Sequence, residues 1–135
     1  MLLKLHEVVT LYYELNGFTA NGQSQPSIVG LLRQKMSLKT KIYLQRLNKI
    51  ASDEFEVYEK SKRELFNKYG NEKDGQIEIP NENLVEFNAE HWAILNVQKQ
   101  IDVQQLWGDD LNIESLNTIE TTDSYPVLFK IMDLQ

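Results

Sequence analysis

The sequence predicts an α+β domain, predominantly helical around one long central helix, with a small two- or three-stranded sheet. Three observations predict it. Residues 37–69 contain neither Pro nor Gly and are followed by Gly70, so nothing in them interrupts a helix. Residues 76–79 alternate polar and apolar before Pro80, as a strand does. The remaining chain is a series of short amphipathic stretches separated by Gly, Pro and Asn turn signals, with no repeat and no low-complexity segment. A bundle of helices with irregular connections is the alternative architecture.

The central helix carries Tyr43, Leu47, Ile50, Ala51, Tyr58, Leu65 and Tyr69 at helical spacing, with Phe55 and Phe66 on the flank. Ser37 suits the N-cap, and Gly70 suits a left-handed residue after the last turn. At 1.5 Å per residue the helix is about 50 Å long, longer than so small a domain needs, so the rest of the chain is expected to pack along it.

In chain order, residues 2–5 predict a short strand. Residues 7–16 predict a helix with Leu5, Val8, Val9, Tyr12 and Leu15 on one face and Gly17 as its stop. Residues 18–25 read as a loop anchored inward by Phe18, and residues 27–34 as a short amphipathic piece weakened by Gly30. Residues 71–75 predict a solvated turn. Asn83 with Glu86 resembles a capping box opening a helix to about residue 98, with Leu84, Phe87, Ile94 and Leu95 inward and Trp92 at the side. Residues 101–106 predict a second strand, antiparallel to 76–79. Asn112 is expected to cap a short helix, and Pro126 suits the first turn of a last one.

At 135 residues the chain fits a single domain, 1–135, able to bury a core without disulfides. It has no cysteine, which excludes disulfides, thiolate catalysis and cysteine-based zinc sites. No signal-peptide pattern and no run of about 18 apolar residues occur, so a soluble, non-secreted protein with no membrane association is expected.

The net charge of −6 is unevenly distributed. Residues 15–52 hold no acid but contain Arg33, Lys35, Lys39, Lys41, Arg46 and Lys49. Residues 101–135 hold Asp102, Asp109, Asp110, Glu114, Glu120, Asp123 and Asp133 against Lys130 alone. Two arrangements fit: the segments neutralise each other within one fold, or they form a contact surface, either with a neighbouring copy or with a phosphate backbone. On a helix Lys39, Arg46 and Lys49 fall near one face. With a sequence pI near 4.9, nucleic-acid binding would need a local patch and is the weaker expectation.

Chemistry is sparse. His91 has Phe87 and Leu95 one turn away on either side, so no second metal ligand shares its face; it reads as a half-buried structural histidine. His6 reads as a first-turn residue. The carboxylates at Asp53, Glu54, Glu56 and Glu59 interleave with Lys60, Lys62 and Arg63, the pattern of a solvated helix face. Asp109-Asp110 lacks the rest of a calcium loop. No phosphate-binding loop, dinucleotide fingerprint or nucleophile elbow occurs. The expectation is no enzyme and no cofactor. Trp107, beside a turn and an acidic pair, is a candidate anchor for a protein partner, or alternatively closes the edge of the core.

The succession LKLHEVVTLYYEL, GLLRQKMSLKTKIYLQRLNKIASDEFEVYEKSKRELFNKYG, EKDGQIEI, ENLVEFNAEHWAILNVQKQIDVQQL and DLNIESL resembles the small proteins of unknown function encoded by tailed bacteriophages. The resemblance covers most of residues 2–117, while the loop 18–26 and the tail from 118 depart from it. It carries no catalytic residues. It implies a virion structural or assembly component that binds other copies or other virion proteins, located in the host cytoplasm or the virion. The alternative it implies is an early anti-defence protein that binds a host nuclease or sensor. The resemblance assigns no binding residues; the charge split and the Trp107 position point to the six cations at 33–49, with Asp102, Trp107, Asp109, Asp110 and Glu114, for such contacts.

Overall fold

A computed structural model describes residues 1–111 and 125–133. The fold is α+β and dominated by its helices. β1 (Leu2–Lys4) runs directly into α1 (Leu5–Asn16); a single 3-10 turn (Leu31–Arg33) then leads to α2 (Leu38–Tyr69). There follow β2 (Asn71–Lys73), β3 (Gln76–Glu78), α3 (Asn81–Leu95), β4 (Gln98–Gln100), α4 (Val103–Leu106) and α5 (Pro126–Asp133). No helix among the described residues is long and apolar enough to cross a membrane.

The long helix starts where its N-cap is. Ser37 is extended and its hydroxyl accepts from the Thr40 N–H at 3.1 Å. The buried side of α2 is Thr40, Leu44, Leu47, Ala51, Tyr58 and Leu65, in steps of three, four and seven; Tyr43, Ile50 and Tyr69 flank it, half-buried. Gly70 ends the helix for a different reason from the one its position suggests. Its φ is −96°, not left-handed. A Cβ there would stand 2.3 Å from Ile77 Cγ2 and 2.5 Å from the Phe66 carbonyl oxygen, so glycine is required for close approach of the next hairpin.

Strand pairing departs from the expectation. β3 pairs with β2 in a hairpin closed by Asp74 and Gly75, at φ 54° and 78°; both are positive, as a tight two-residue turn demands. Residues 71–73, expected as turn, are therefore strand. Residues 103–106 are helix, because Asp102 accepts from the Gln105 N–H at 3.1 Å and caps a turn. The strand lies just before, at 98–100, and pairs antiparallel with β1, Leu3 opposite Lys99. The register is held at its end by Ile101 N–H donating to Met1 O at 2.8 Å.

Two further segments differ. The 27–34 piece shortens to the 3-10 turn because Phe18 and Ile28 exchange backbone hydrogen bonds at 2.9 and 3.0 Å, which holds Ile28 extended. Gly30 then crosses Asn16 so closely that a Cβ would lie 2.6 Å from the Asn16 carbonyl carbon. Phe18 is 41% exposed rather than buried, resting edge-on against Tyr13 at 4.9 Å. In α3, Asn83 does not cap: its amide donates to the last carbonyl of α2, Tyr69 O, at 3.0 Å. The helix instead begins after Pro80 and ends at Leu95. The helix expected after Asn112 lies outside the described residues.

The main core gathers around α1. Leu3, Val8, Leu11 and Leu15 meet Leu44 and Leu47 of α2, with Leu128 and Ile131 of α5 closing the far side. Burying each such aliphatic side chain contributes about 1.5–3 kcal/mol. Leu65 and Phe87 are buried outside this cluster, where the C-terminal half of α2 packs on α3 through Phe66, Tyr69 and Phe87.

Candidate functional site

The cations of 33–49 divide into two groups. Lys39 Nζ lies 3.8 Å from Asp110 Oδ1, and the Tyr43 hydroxyl donates to Asp110 Oδ2 at 2.7 Å. That hydrogen bond, ahead of any other cause, raises the Tyr43 pKa. Arg46 donates to the Leu106 carbonyl at 3.4 Å with its guanidinium over the Tyr43 ring. One side of α2 therefore meets the turn after α4 within the same protomer. Arg33, Lys35, Lys41 and Lys49 have no ion-pair partner among the described residues.

Of the acids, Asp110 receives the basic helix and Asp102 caps α4. Asp109 is exposed without an ion pair among the described residues, and Glu114 lies outside them. Trp107 is only 4% exposed and belongs to the core, because α4 folds it inward; it is not an exposed anchor. Its indole N–H has no hydrogen-bond partner among the described residues.

The exposed tryptophan is Trp92. On α3, Phe87, His91 and Ile94 face inward, which turns Val85, Ala89 and Trp92 outward; Val85 is 79% and Trp92 64% exposed. Trp92 stacks on His6 at 6.4 Å between ring centroids. Glu82, Glu86 and Glu90 recur every four residues along one border of this stripe. Lys68 donates to Glu90 at 2.9 and 3.2 Å, which holds the Glu90 carboxyl below the usual range, while Glu82 and Glu86 are exposed without ion pairs among the described residues. The signal was present in the sequence: Val85 and Trp92 are seven apart, on the side opposite Phe87 and Ile94.

His91 Nε2 lies 2.9 Å from the Tyr58 hydroxyl, between the Tyr58 and Phe87 rings. Burial, and then Lys62, lower its pKa, so the ring is neutral at pH 7. Among the described residues no group of three or more His, Asp or Glu is placed to hold a metal. The arrangement offers contact surfaces of opposite charge. Comparison with protein-family models, curated proteins and solved structures found no match to this chain.

Proposed function

We propose that this chain is a non-enzymatic protein-interaction module that associates with further copies of itself, as a phage-type virion structural or assembly component does. The supporting observation is complementarity. The apolar stripe of α3, which ends on Trp92 and is bordered by Glu82 and Glu86, faces solvent, while Lys35, Lys41 and Lys49 are without ion pairs among the described residues. An exposed Trp is the residue type most often central to a protein interface. Because the two faces differ, the contact is head-to-tail, and such contacts close into rings or extend as filaments.

The test is solution mass by light scattering at about 50 and about 500 mM salt, a span over which surface charge pairs are progressively screened. The expected result is an oligomer at low salt that dissociates at high salt. Trp92→Ala and the pair Lys41→Glu with Lys49→Glu should each yield a folded monomer. A monomeric wild-type chain at both salts overturns self-association. It would favour the second reading, an anti-defence inhibitor, which rests on the regular acidic border at Glu82 and Glu86 as a surface able to occupy a host protein's nucleic-acid site.

A further inference from the structure

Between α1, the 3-10 turn and α2 lies an open cleft of about 530 Å³. Tyr12, Tyr13 and Phe55 form an aromatic wall, Leu32 adds aliphatic surface, and Arg33 also lines the cleft. The wall is pre-assembled. Tyr12 stacks on Phe55 with ring centroids 4.0 Å apart, and Tyr13 packs edge-on to the same ring at 5.5 Å.

One polar side chain of the cleft is already committed. Asn16 donates to the Tyr12 carbonyl at 2.9 Å and to Asn48 Oδ1 at 2.7 Å. Arg33 differs: among the described residues its guanidinium has neither an ion pair nor a hydrogen bond. A second, smaller cleft of about 150 Å³ adjoins the first and shares Asn16, Gly17 and Arg33 with it, so the guanidinium stands at the junction of the two. The junction exists because Gly30 lets the loop cross the end of α1 without a side chain.

The charge is polarised along the cleft. No acid occurs between residues 15 and 52, and a carboxylate whose charge acts on Tyr13 is Glu59, one turn beyond Phe55 along α2. Burial first, and then Glu59, raise the Tyr13 pKa, so the hydroxyl stays protonated and available as a donor. A cation at one end, rings along the wall and a carboxylate beyond them define a polarity for whatever binds.

We infer that this cleft binds a planar aromatic anion of small-molecule size, its ring against Tyr12, Tyr13 and Phe55 and its anionic group on the Arg33 guanidinium. The volume lies within the range of about 300–1,000 Å³ typical of small-ligand sites. A guanidinium is the side chain best matched to a planar or tetrahedral oxyanion, because it donates two parallel hydrogen bonds. This site is separate from the α3 stripe and does not depend on self-association.

The experiment uses anilinonaphthalene sulfonate, an aromatic anion whose fluorescence reports binding, with the intact chain. The expected result is one bound dye per chain. Loss of a charge-assisted contact weakens binding by about tenfold or more, so Arg33→Gln should show at least that loss and Arg33→Lys a smaller one. Arg33 is exposed, so both variants should keep the wild-type circular dichroism spectrum. Trp92→Ala should leave binding unchanged. Competition by adenosine monophosphate assigns a phosphate as the anion, and competition by indole acetate assigns a carboxylate; displacement by neither overturns the site. So does an Arg33→Gln chain that binds dye as the wild type does, or dye binding lost in Trp92→Ala instead.

Discussion

The Glu14 carboxylate accepts from the Leu128 backbone N–H at 3.0 Å, joining two residues 114 positions apart in the chain. Its second oxygen accepts from Val127 N–H at 3.1 Å. Glu14 is on α1 and 1% exposed, so it is a buried carboxylate capping the first turn of α5. The first N–H groups of a helix have no partner within it and carry its positive end, so a carboxylate there satisfies both requirements. Glu7 pairs with Lys130 at 2.5 Å further along the same two helices, and the Tyr125 hydroxyl donates to Val29 O at 2.9 Å. Glu14→Ala leaves two buried N–H groups without an acceptor and is expected to cost about 2–4 kcal/mol. Glu14→Gln keeps one carbonyl oxygen as an acceptor and should cost about 1 kcal/mol. Urea unfolding measures both; losses near zero in both variants would mean that the capping hydrogen bonds contribute nothing.

The same carboxylate sets a pH dependence. Burial raises the Glu14 pKa above 4.5, and the Leu128 and Val127 N–H groups only partly offset it. On acidification the folded chain therefore takes up this proton before the unfolded chain does, and the Glu14 contribution to stability rises as pH falls from above its folded value to 4.5. Glu7 behaves oppositely. Burial opposes its ionisation, but Lys130 and the Lys4 N–H outweigh that and hold it below 4.5. Its contribution is present above 4.5 and is lost as pH falls through its folded value. Urea midpoints should rise slightly as pH falls from 7 towards 4.5 and fall below 4.5. In Glu14→Gln the rise should vanish and the fall remain. A rise that persists in that variant assigns it to another group.

Much of the fold was legible because local patterns specify local structure. Ser37 caps α2, an uninterrupted stripe carries it to Tyr69, and Pro126 starts α5. What failed was pairing between distant segments. Residues 76–79 alternate whichever strand they pair with, and only the Asp74-Gly75 turn decides for β2. Leu3 facing Lys99 joins residues 96 positions apart, which no local signal encodes. For the surface, the charge split was visible, but which cations Asp110 engages depends on α4 turning the chain back onto α2. The aromatic cleft combines residues from three segments and has no linear signature.

Gly70 carries a specific steric requirement. In Gly70→Ala the new methyl would meet both the Ile77 side chain and the Phe66 carbonyl oxygen within 2.5 Å. Overpacking of this kind costs about 1–3 kcal/mol. The strain falls on the hairpin, which is exposed throughout, so hydrogen exchange should accelerate in β2 and β3 before it does in α1. Adding Ile77→Ala removes the side-chain clash but not the carbonyl one and should restore only part of the loss. Full restoration would show that the backbone approach is not limiting.

The two tryptophans stand in opposite environments. Trp107 is buried in the main core, and Trp92 lies in solvent against His6. In Trp92→Phe the remaining indole is Trp107, and its emission should be blue-shifted and protected from acrylamide. In Trp107→Phe the remaining Trp92 should emit near the solvent value and be quenched readily. The stability costs should also separate. Trp107→Ala opens a core cavity and should cost about 3–5 kcal/mol. Because the Trp107 indole N–H has no hydrogen-bond partner among the described residues, Trp107→Phe should lose packing alone, about 1–2 kcal/mol. Trp92→Ala should change stability by no more than about 0.5 kcal/mol, as exposed positions do. A Trp107→Phe loss as large as that of Trp107→Ala would mean that the indole N–H makes a stabilising hydrogen bond. Protection of Trp92 that appears only at high protein concentration would instead place it in an interface between copies.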